Sequence, residues 1–279
     1  MVQRLITAVV GLPIVLGALW FGLPWLTILI GVVALLGLLE FAALARNLGA
    51  LPSIPVLIAW GLAYILDAQF GGGHALIILT IGVLLSLAWQ TLVVWRPGGL
   101  WGDIGPGPKP ERIASFVVGW SFTVAGALYL GFTLAHALLI RELPHGREWL
   151  LLVIGTVFAT DTLAFFTGKL LGRHKKASTI SPGKTWEGAI GGTVGGIVAG
   201  LAIAIAFALP AARWQVVVLG SSIAVAAQLG DLAESMMKRG AGAKESSGLL
   251  PGHGGVLDRL DSIVVSVVVA YYAIRWIGA

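Results

Sequence analysis

The sequence predicts an all-α, polytopic integral membrane protein with about nine transmembrane helices and a cytoplasmic N-terminus. Three observations lead there. Of the 279 residues, 57% are hydrophobic and only 11% are Asp, Glu, Lys or Arg, where a soluble domain carries roughly 25% charged residues. Mean hydropathy is +0.93 and the mass 29.1 kDa, so the polar groups are too few to coat a globule, whereas lipid needs no polar coat. Apolar stretches also recur along the whole chain, bounded by Pro, Gly and charge. At about 20 residues per crossing, nine crossings take roughly 180 residues and leave no room for a separate soluble domain.

Taken in order, the spans are expected at 4–22, 24–45, 53–68, 74–95, 113–140, 148–171, 186–209, 213–235 and 256–278. The first begins at Arg4 like a signal peptide, but no cleavage site leads into a polar mature domain, so it reads as a retained span. The third is short and ends before the tight turn of Gly71 to Gly73; the fourth ends at an irregular loop rich in Pro97, Pro106, Pro108 and Pro110. The fifth is long. In the seventh, Gly191, Gly192, Gly195, Gly196 and Gly200 recur at helical spacing, which lets a neighbouring backbone come close.

Charge sets the orientation. With the N-terminus inside, fourteen of the 18 Lys and Arg residues fall in cytoplasmic segments, and Arg141, Arg147, Arg213 and Arg275 fall outside, as the positive-inside rule demands. Trp20, Trp25, Trp95, Trp149, Trp186, Trp214 and Trp276 lie near span ends, where interfacial belts form. The net charge of +5 therefore reads as basic loops against anionic headgroups, with no nucleic-acid partner. The absence of cysteine excludes disulfides, thiolate metal sites and a cysteine nucleophile.

Two regions follow. Residues 1–150 read as a scaffold of transmembrane helices, and residues 151–279 as a catalytic region with two cytoplasmic motif loops. Charged groups in or beside the bilayer are costly and mark function. They are few: Asp161 and Asp231 within spans, and Glu40, which precedes Arg46 by less than two turns and should reach the cytoplasmic interface. Asp67 sits at a span end, and His136 reads as a satisfied buried imidazole. In the loop after the sixth span, Ser181-Pro-Gly-Lys184-Thr185-Trp-Glu187-Gly188 looks like a helix start, which aims backbone N–H groups and the positive dipole end at an anion beside Lys184. Phosphate suits such a place.

The loop after the eighth span runs from Ser235 through Lys238, Arg239, Lys244, Glu245 and His253-Gly254-Gly255 to Asp258-Arg259-Leu-Asp261. Asp258 and Asp261 are three apart at a helix start and share a face. With Asp231 on the same side of the membrane, three carboxylates next to four cations suit Mg²⁺ and a polyphosphate. Gly252, Gly254 and Gly255 would let the backbone approach a ligand.

These residues resemble the signature of phosphatidate cytidylyltransferases, also called CDP-diacylglycerol synthases. The pattern is Ser, two positions, Lys-Arg, four positions, Lys-Asp, a Gly-rich stretch ending in Pro-x-His-Gly-Gly, two positions, then Asp-Arg-x-Asp, and Ser235 to Asp261 keeps every spacing. The one departure is Glu245 in place of the Asp. Asp161 to Gly168 and Ser181 to Gly188 also look like family motifs, so the resemblance covers roughly 155–265.

The resemblance implies that CTP and phosphatidic acid give CDP-diacylglycerol and pyrophosphate at a cytoplasmic-side cavity in the cytoplasmic (inner) membrane, open sideways to the lipid bilayer. It implies Mg²⁺, with room for a second cation, held by Asp231, Asp258 and Asp261. Lys238, Arg239, Lys244 and Arg259 would contact phosphates alongside the catalytic Asp231 and Asp258. Ser181, Lys184, Thr185, Glu187, His253, Gly254, Gly255 and Asp161 would line the substrate site, and a homodimer is the expected assembly. The competing class is an ion-coupled transporter using intramembrane Asp residues, but the carboxylates gather on one side among basic loops. A CDP-alcohol phosphotransferase would need an Asp-Gly-x-x-Ala-Arg pattern, which is absent.

Overall fold

The computed structural model describes residues 2–95, 110–177, 180–249 and 254–278; His253 lies outside the described residues. Among these the chain is helical: α1 (Val2–Phe21), α2 (Trp25–Asn47), α3 (Ile54–Gln69), α4 (Ala75–Trp95), α5 (Pro110–Gly126), a π-helical segment (Ala127–Phe132), α6 (Thr133–Glu142), α7 (Gly146–Leu171), α8 (Trp186–Ala206), α9 (Arg213–Gly240) and α10 (Leu257–Ile277). α5, the π segment and α6 run on without a break in helical backbone angles, so the described residues form nine rods where nine spans are expected. Seven of the described helical stretches are long and apolar enough to cross a membrane, and α3 is a shorter apolar helix. Large apolar side chains such as Leu76, Leu170 and Trp276 are exposed, as a lipid-facing surface requires.

Small residues decide how closely the rods pack. A Cβ at Gly192 would lie 2.7 Å from the Thr160 carbonyl oxygen, and one at Gly196 would lie 2.4 Å from the Thr160 hydroxyl. The glycine face of α8 therefore rests directly on α7. In the same way a Cβ at Gly230 of α9 would lie 2.2 Å from the Asp261 carbonyl oxygen of α10. The π segment brings Gly131 against Gly61 of α3, where a Cβ would lie 2.4 Å from the Gly61 Cα. π-bulges of this kind widen one turn and admit such contacts. His136 is buried, and its Nδ1 lies 2.8 Å from the Phe132 carbonyl oxygen, a satisfied imidazole one turn along its own helix.

Candidate active site

α7, α8 and α9 meet around a cavity of about 350 Å³ whose polar lining comes from Asp161, Lys176, Lys184, Thr185, Gln228 and Asp231. Local sequence builds its floor. Thr185 precedes α8 in extended conformation, and its hydroxyl accepts the Gly188 N–H at 3.1 Å, the N-cap expected of this residue type. A short antiparallel pairing of Lys175 with Thr185, supported by the Lys176 N–H donating to the Lys184 carbonyl at 3.0 Å, folds the α7–α8 loop back on itself. Lys184 is thereby presented to α9.

Its ammonium stands 2.6 Å from Asp231 Oδ2. Lys176 donates to Gln228 Oε1 at 3.1 Å and lies over the Trp186 ring. Burial, and then the charge of Lys184, push the Lys176 ammonium below the usual lysine range. Two crowded cations beside Asp161 and Asp231 leave a cavity suited to an anion. Glu187 serves the loop: its carboxylate accepts the His174 backbone N–H at 3.2 Å and lies 2.6 Å from His174 Nδ1. Arg239 Nε lies 3.5 Å from the Ile180 carbonyl oxygen, so both motif loops sit at one end of the bundle. Ser181 is half-buried in the same loop, and its carbonyl accepts the Lys184 N–H at 3.1 Å.

A second cluster lies farther along α9. Asp231, Glu234 and Lys238 fall on one face, with Lys238 about 10 Å from Asp231 at 1.5 Å per residue. Lys238 lies 2.6 Å from Glu234 Oε2 and pairs with Asp258 Oδ1. Glu234 is fully buried; nothing in the sequence reading singled it out, although its place one turn before Lys238 was a signal. The other Asp258 oxygen accepts the Ser246 N–H at 2.9 Å and the Gly255 N–H at 2.8 Å. Asp258 is thus committed to its own chain. Asp261, on the next turn of α10, lies within electrostatic reach of both Asp231 and Asp161. Lys244, Glu245 and Arg259 are exposed on the loop side.

The structure adds partners that the sequence does not show. Glu40 is 6% exposed and bonded to Ser246, Ser247, Val256 and Leu257. Gly254 and Gly255 make room for protein carboxylates: a Cβ at Gly254, where φ is +77°, would lie 2.7 Å from Asp258 Oδ2, and one at Gly255 would lie 2.5 Å from Glu40 Oε2.

Among the described residues no three His, Asp or Glu side chains form a group that could by itself hold a metal ion. The donor chemistry nonetheless fits a hard cation, because such ions are commonly held by one or two carboxylates and completed by phosphate oxygens and water. Asp231 and Asp161 line the cavity, and Asp261 is beside them.

Comparison with known proteins adds the following. A sequence model of the cytidylyltransferase family matches residues 2–277. A phosphatidate cytidylyltransferase of Pseudomonas aeruginosa is 37% identical over 284 residues, covering 98% of this chain and 96% of its own. The protein of that name from Brucella abortus is 35% identical over 274 residues, covering 96% and 91%. The one from Haemophilus influenzae is 32% identical over 285 residues, covering 95% of each.

Proposed function

The chain belongs to the cytidylyltransferase family, and from that premise we propose that it transfers the cytidylyl group of CTP to phosphatidic acid, giving CDP-diacylglycerol and pyrophosphate in the cytoplasmic (inner) membrane of a bacterium. One observation carries the choice of site: a cavity that joins paired cations to carboxylates, Lys176 and Lys184 with Asp161 and Asp231, among helices that expose Phe165 and Phe166 outward. CTP arrives from water on the loop side, where the basic segments lie, and the acyl chains of the lipid stay in the bilayer.

The chemistry needs little from a general base. The phosphomonoester of phosphatidate is already ionised near neutral pH, and one of its oxygens attacks the CTP α-phosphorus while the bond to the β-phosphate oxygen breaks and pyrophosphate leaves. The difficulty is bringing two anions together, so catalysis is positioning and charge neutralisation. Lys184 and Lys176 offset phosphate charge inside the cavity, and Arg239, Lys244 and Arg259 do so from the loop side. Lys238, held between Glu234 and Asp258, fixes α9 to α10. Thr185 and Ser181 shape the turn that presents Lys184, and Glu187 braces it through His174. When bound, a divalent cation, Mg²⁺ in this proposal, supplies further neutralisation of phosphate charge; Asp231 and Asp261 would hold it, with Asp161 beside them. Residues 151–279 carry this machinery and 1–150 support it. Every residue named comes from one chain, so a homodimer is not required by the site.

The test is release of pyrophosphate from CTP by the purified protein in mixed micelles, with and without phosphatidate, together with chromatographic identification of the lipid product. Phosphatidate-dependent release with stoichiometric CDP-diacylglycerol supports the proposal. Release without lipid, or none with it, overturns it.

A further inference from the structure

Glu40 belongs to α2, in the half of the chain expected to be scaffold, yet it touches the loop that leads into α10 from more than 200 positions away in sequence. Glu40 is 6% exposed, and four donors lie within hydrogen-bond distance of its carboxylate. Oε1 takes the Ser247 hydroxyl at 2.6 Å and the Val256 N–H at 3.0 Å. Oε2 takes the Ser246 hydroxyl at 2.9 Å and the Leu257 N–H at 2.8 Å. Val256 and Leu257 open α10, where N–H groups have no partner within the helix and the positive end of the dipole favours an anion. An acid from a distant helix thus caps α10.

We propose that Glu40 is a positioning residue for the cytidylyl transfer proposed above, on which its role depends, acting through Ser246 and through Asp258 in the first turn of α10. Four contacts make the relay. The Ser246 hydroxyl lies 2.9 Å from both Glu40 Oε2 and Asp258 Oδ2, and having one hydrogen it donates to one at a time. The Ser246 N–H donates to Asp258, and Asp258 pairs with Lys238. Gly255 completes the arrangement, because a Cβ there would lie 2.0 Å from the Ser246 hydroxyl and 2.5 and 2.7 Å from the two Glu40 oxygens. Glu40 is not among the residues lining the cavity. Its effect on the reaction passes through the placement of Arg259, in the first turn of α10, and of Lys244, two residues before Ser246.

Glu40→Gln is the test, because it keeps the shape but turns one oxygen into a donor facing two donors. Protein is purified in detergent, the monodisperse fraction is taken, and kcat and KM for CTP are measured per folded molecule. The cavity residues Lys184, Asp161 and Asp231 stand on other elements, so binding of CTP should persist. We expect kcat to fall about tenfold or more, while KM changes by less than about threefold. Ser246→Ala, which removes the shared hydroxyl and leaves Glu40 in place, should lower kcat in the same sense with the same KM. The double variant should lose no more than the worse single one, as members of one network do. Wild-type kcat per folded molecule in Glu40→Gln overturns the inference even if the yield or the melting temperature drops. If Glu40→Gln does not fold, wild-type kcat in Ser246→Ala overturns it. A wild-type protein that shows no phosphatidate-dependent release removes the underlying reaction, a result distinct from an active wild type with an unaffected Glu40→Gln.

Discussion

The Lys184 ammonium and the Asp231 carboxylate meet at 2.6 Å across the wall of the cavity, joining the α7–α8 loop to the middle of α9. Neither element could place its charge there alone. The hairpin of Lys175 and Thr185 aims Lys184, and the helical run of α9 holds Asp231. The two charges offset each other as an ion pair. Under the proposed function an incoming phosphate would compete with Asp231 for Lys184, and Asp231 would then have an oxygen to offer a cation.

Lys184→Met should therefore lower turnover by about 100-fold or more, the scale of one electrostatic contact to a developing charge. Asp231→Asn should do the same. The side chains are 24% and 32% exposed overall, with the Lys184 Nζ itself buried. The amide oxygen introduced by Asp231→Asn can still face that ammonium, and Lys184→Met leaves the partly exposed Asp231 open to water, so the variants should remain folded. Size-exclusion profiles like that of the wild type, with turnover lost, are the expected pair of results. Wild-type turnover in either variant would remove that residue from the site.

Asp258 predicts a different outcome. It pairs with Lys238 in a buried setting, their side chains 7% and 14% exposed, and it accepts N–H groups from Ser246 and Gly255. Removing one partner of a buried pair costs about 3–5 kcal/mol. Asp258→Ala should accordingly lower the thermal midpoint in detergent well below that of Asp231→Asn. Equal midpoints for the two variants would show that the Lys238 pair contributes little.

The sequence was informative where physics is local. Apolar length and bounding Pro, Gly and charge gave nine rods within a few residues, and the Thr185 cap was visible from its residue type and position. The glycine face of α8 was visible as spacing. What could not be read was the partner across space. Glu40 looks interfacial because Arg46 follows it, and only the docking of α2 against the loop shows four donors waiting for it. Gly254 and Gly255 looked like a ligand cradle for the same reason: a glycine reports that something comes close, not what. The π segment at Ala127–Phe132 left no mark in the apolar pattern, because a one-residue widening keeps the same composition.

Packing of α8 on α7 supports the cavity from behind, and substitution there should separate stability from chemistry. Gly192→Val would put a side chain into a space where even a Cβ lies 2.7 Å from the Thr160 carbonyl oxygen and 2.8 Å from the Ala164 Cβ. Overpacking of this kind costs about 1–3 kcal/mol or more, and the helices must part. Gly31→Ala on α2 meets nothing within 4 Å and should be neutral or stabilising by up to about 1 kcal/mol, from helix propensity. A Gly192→Val melting midpoint in detergent at or above that of the wild type would contradict the close packing of α7 and α8.

Metal removal distinguishes the two acidic clusters. A chelator should stop pyrophosphate release and added Mg²⁺ should restore it, since the charge of two phosphate groups must be offset as they approach. The carboxylates differ in what they have left to offer. Both Asp258 oxygens are occupied by Lys238, Ser246 and Gly255. Asp261 lies within electrostatic reach of Asp231 and Asp161 and accepts the neighbouring Ser262 N–H at 2.7 Å on Oδ1. If Asp231 and Asp261 hold the cation, Asp261→Asn should raise the Mg²⁺ concentration for half-maximal rate by about 10-fold or more, the scale seen when a metal's surroundings are altered. Asp258→Asn should instead lower the maximal rate and leave that concentration unchanged. A Mg²⁺ titration of the two variants beside wild type reads this directly. A shift in Asp258→Asn with none in Asp261→Asn would reassign the cation to the Lys238 cluster, and the Lys238–Asp258 pair would then have to open whenever the metal binds.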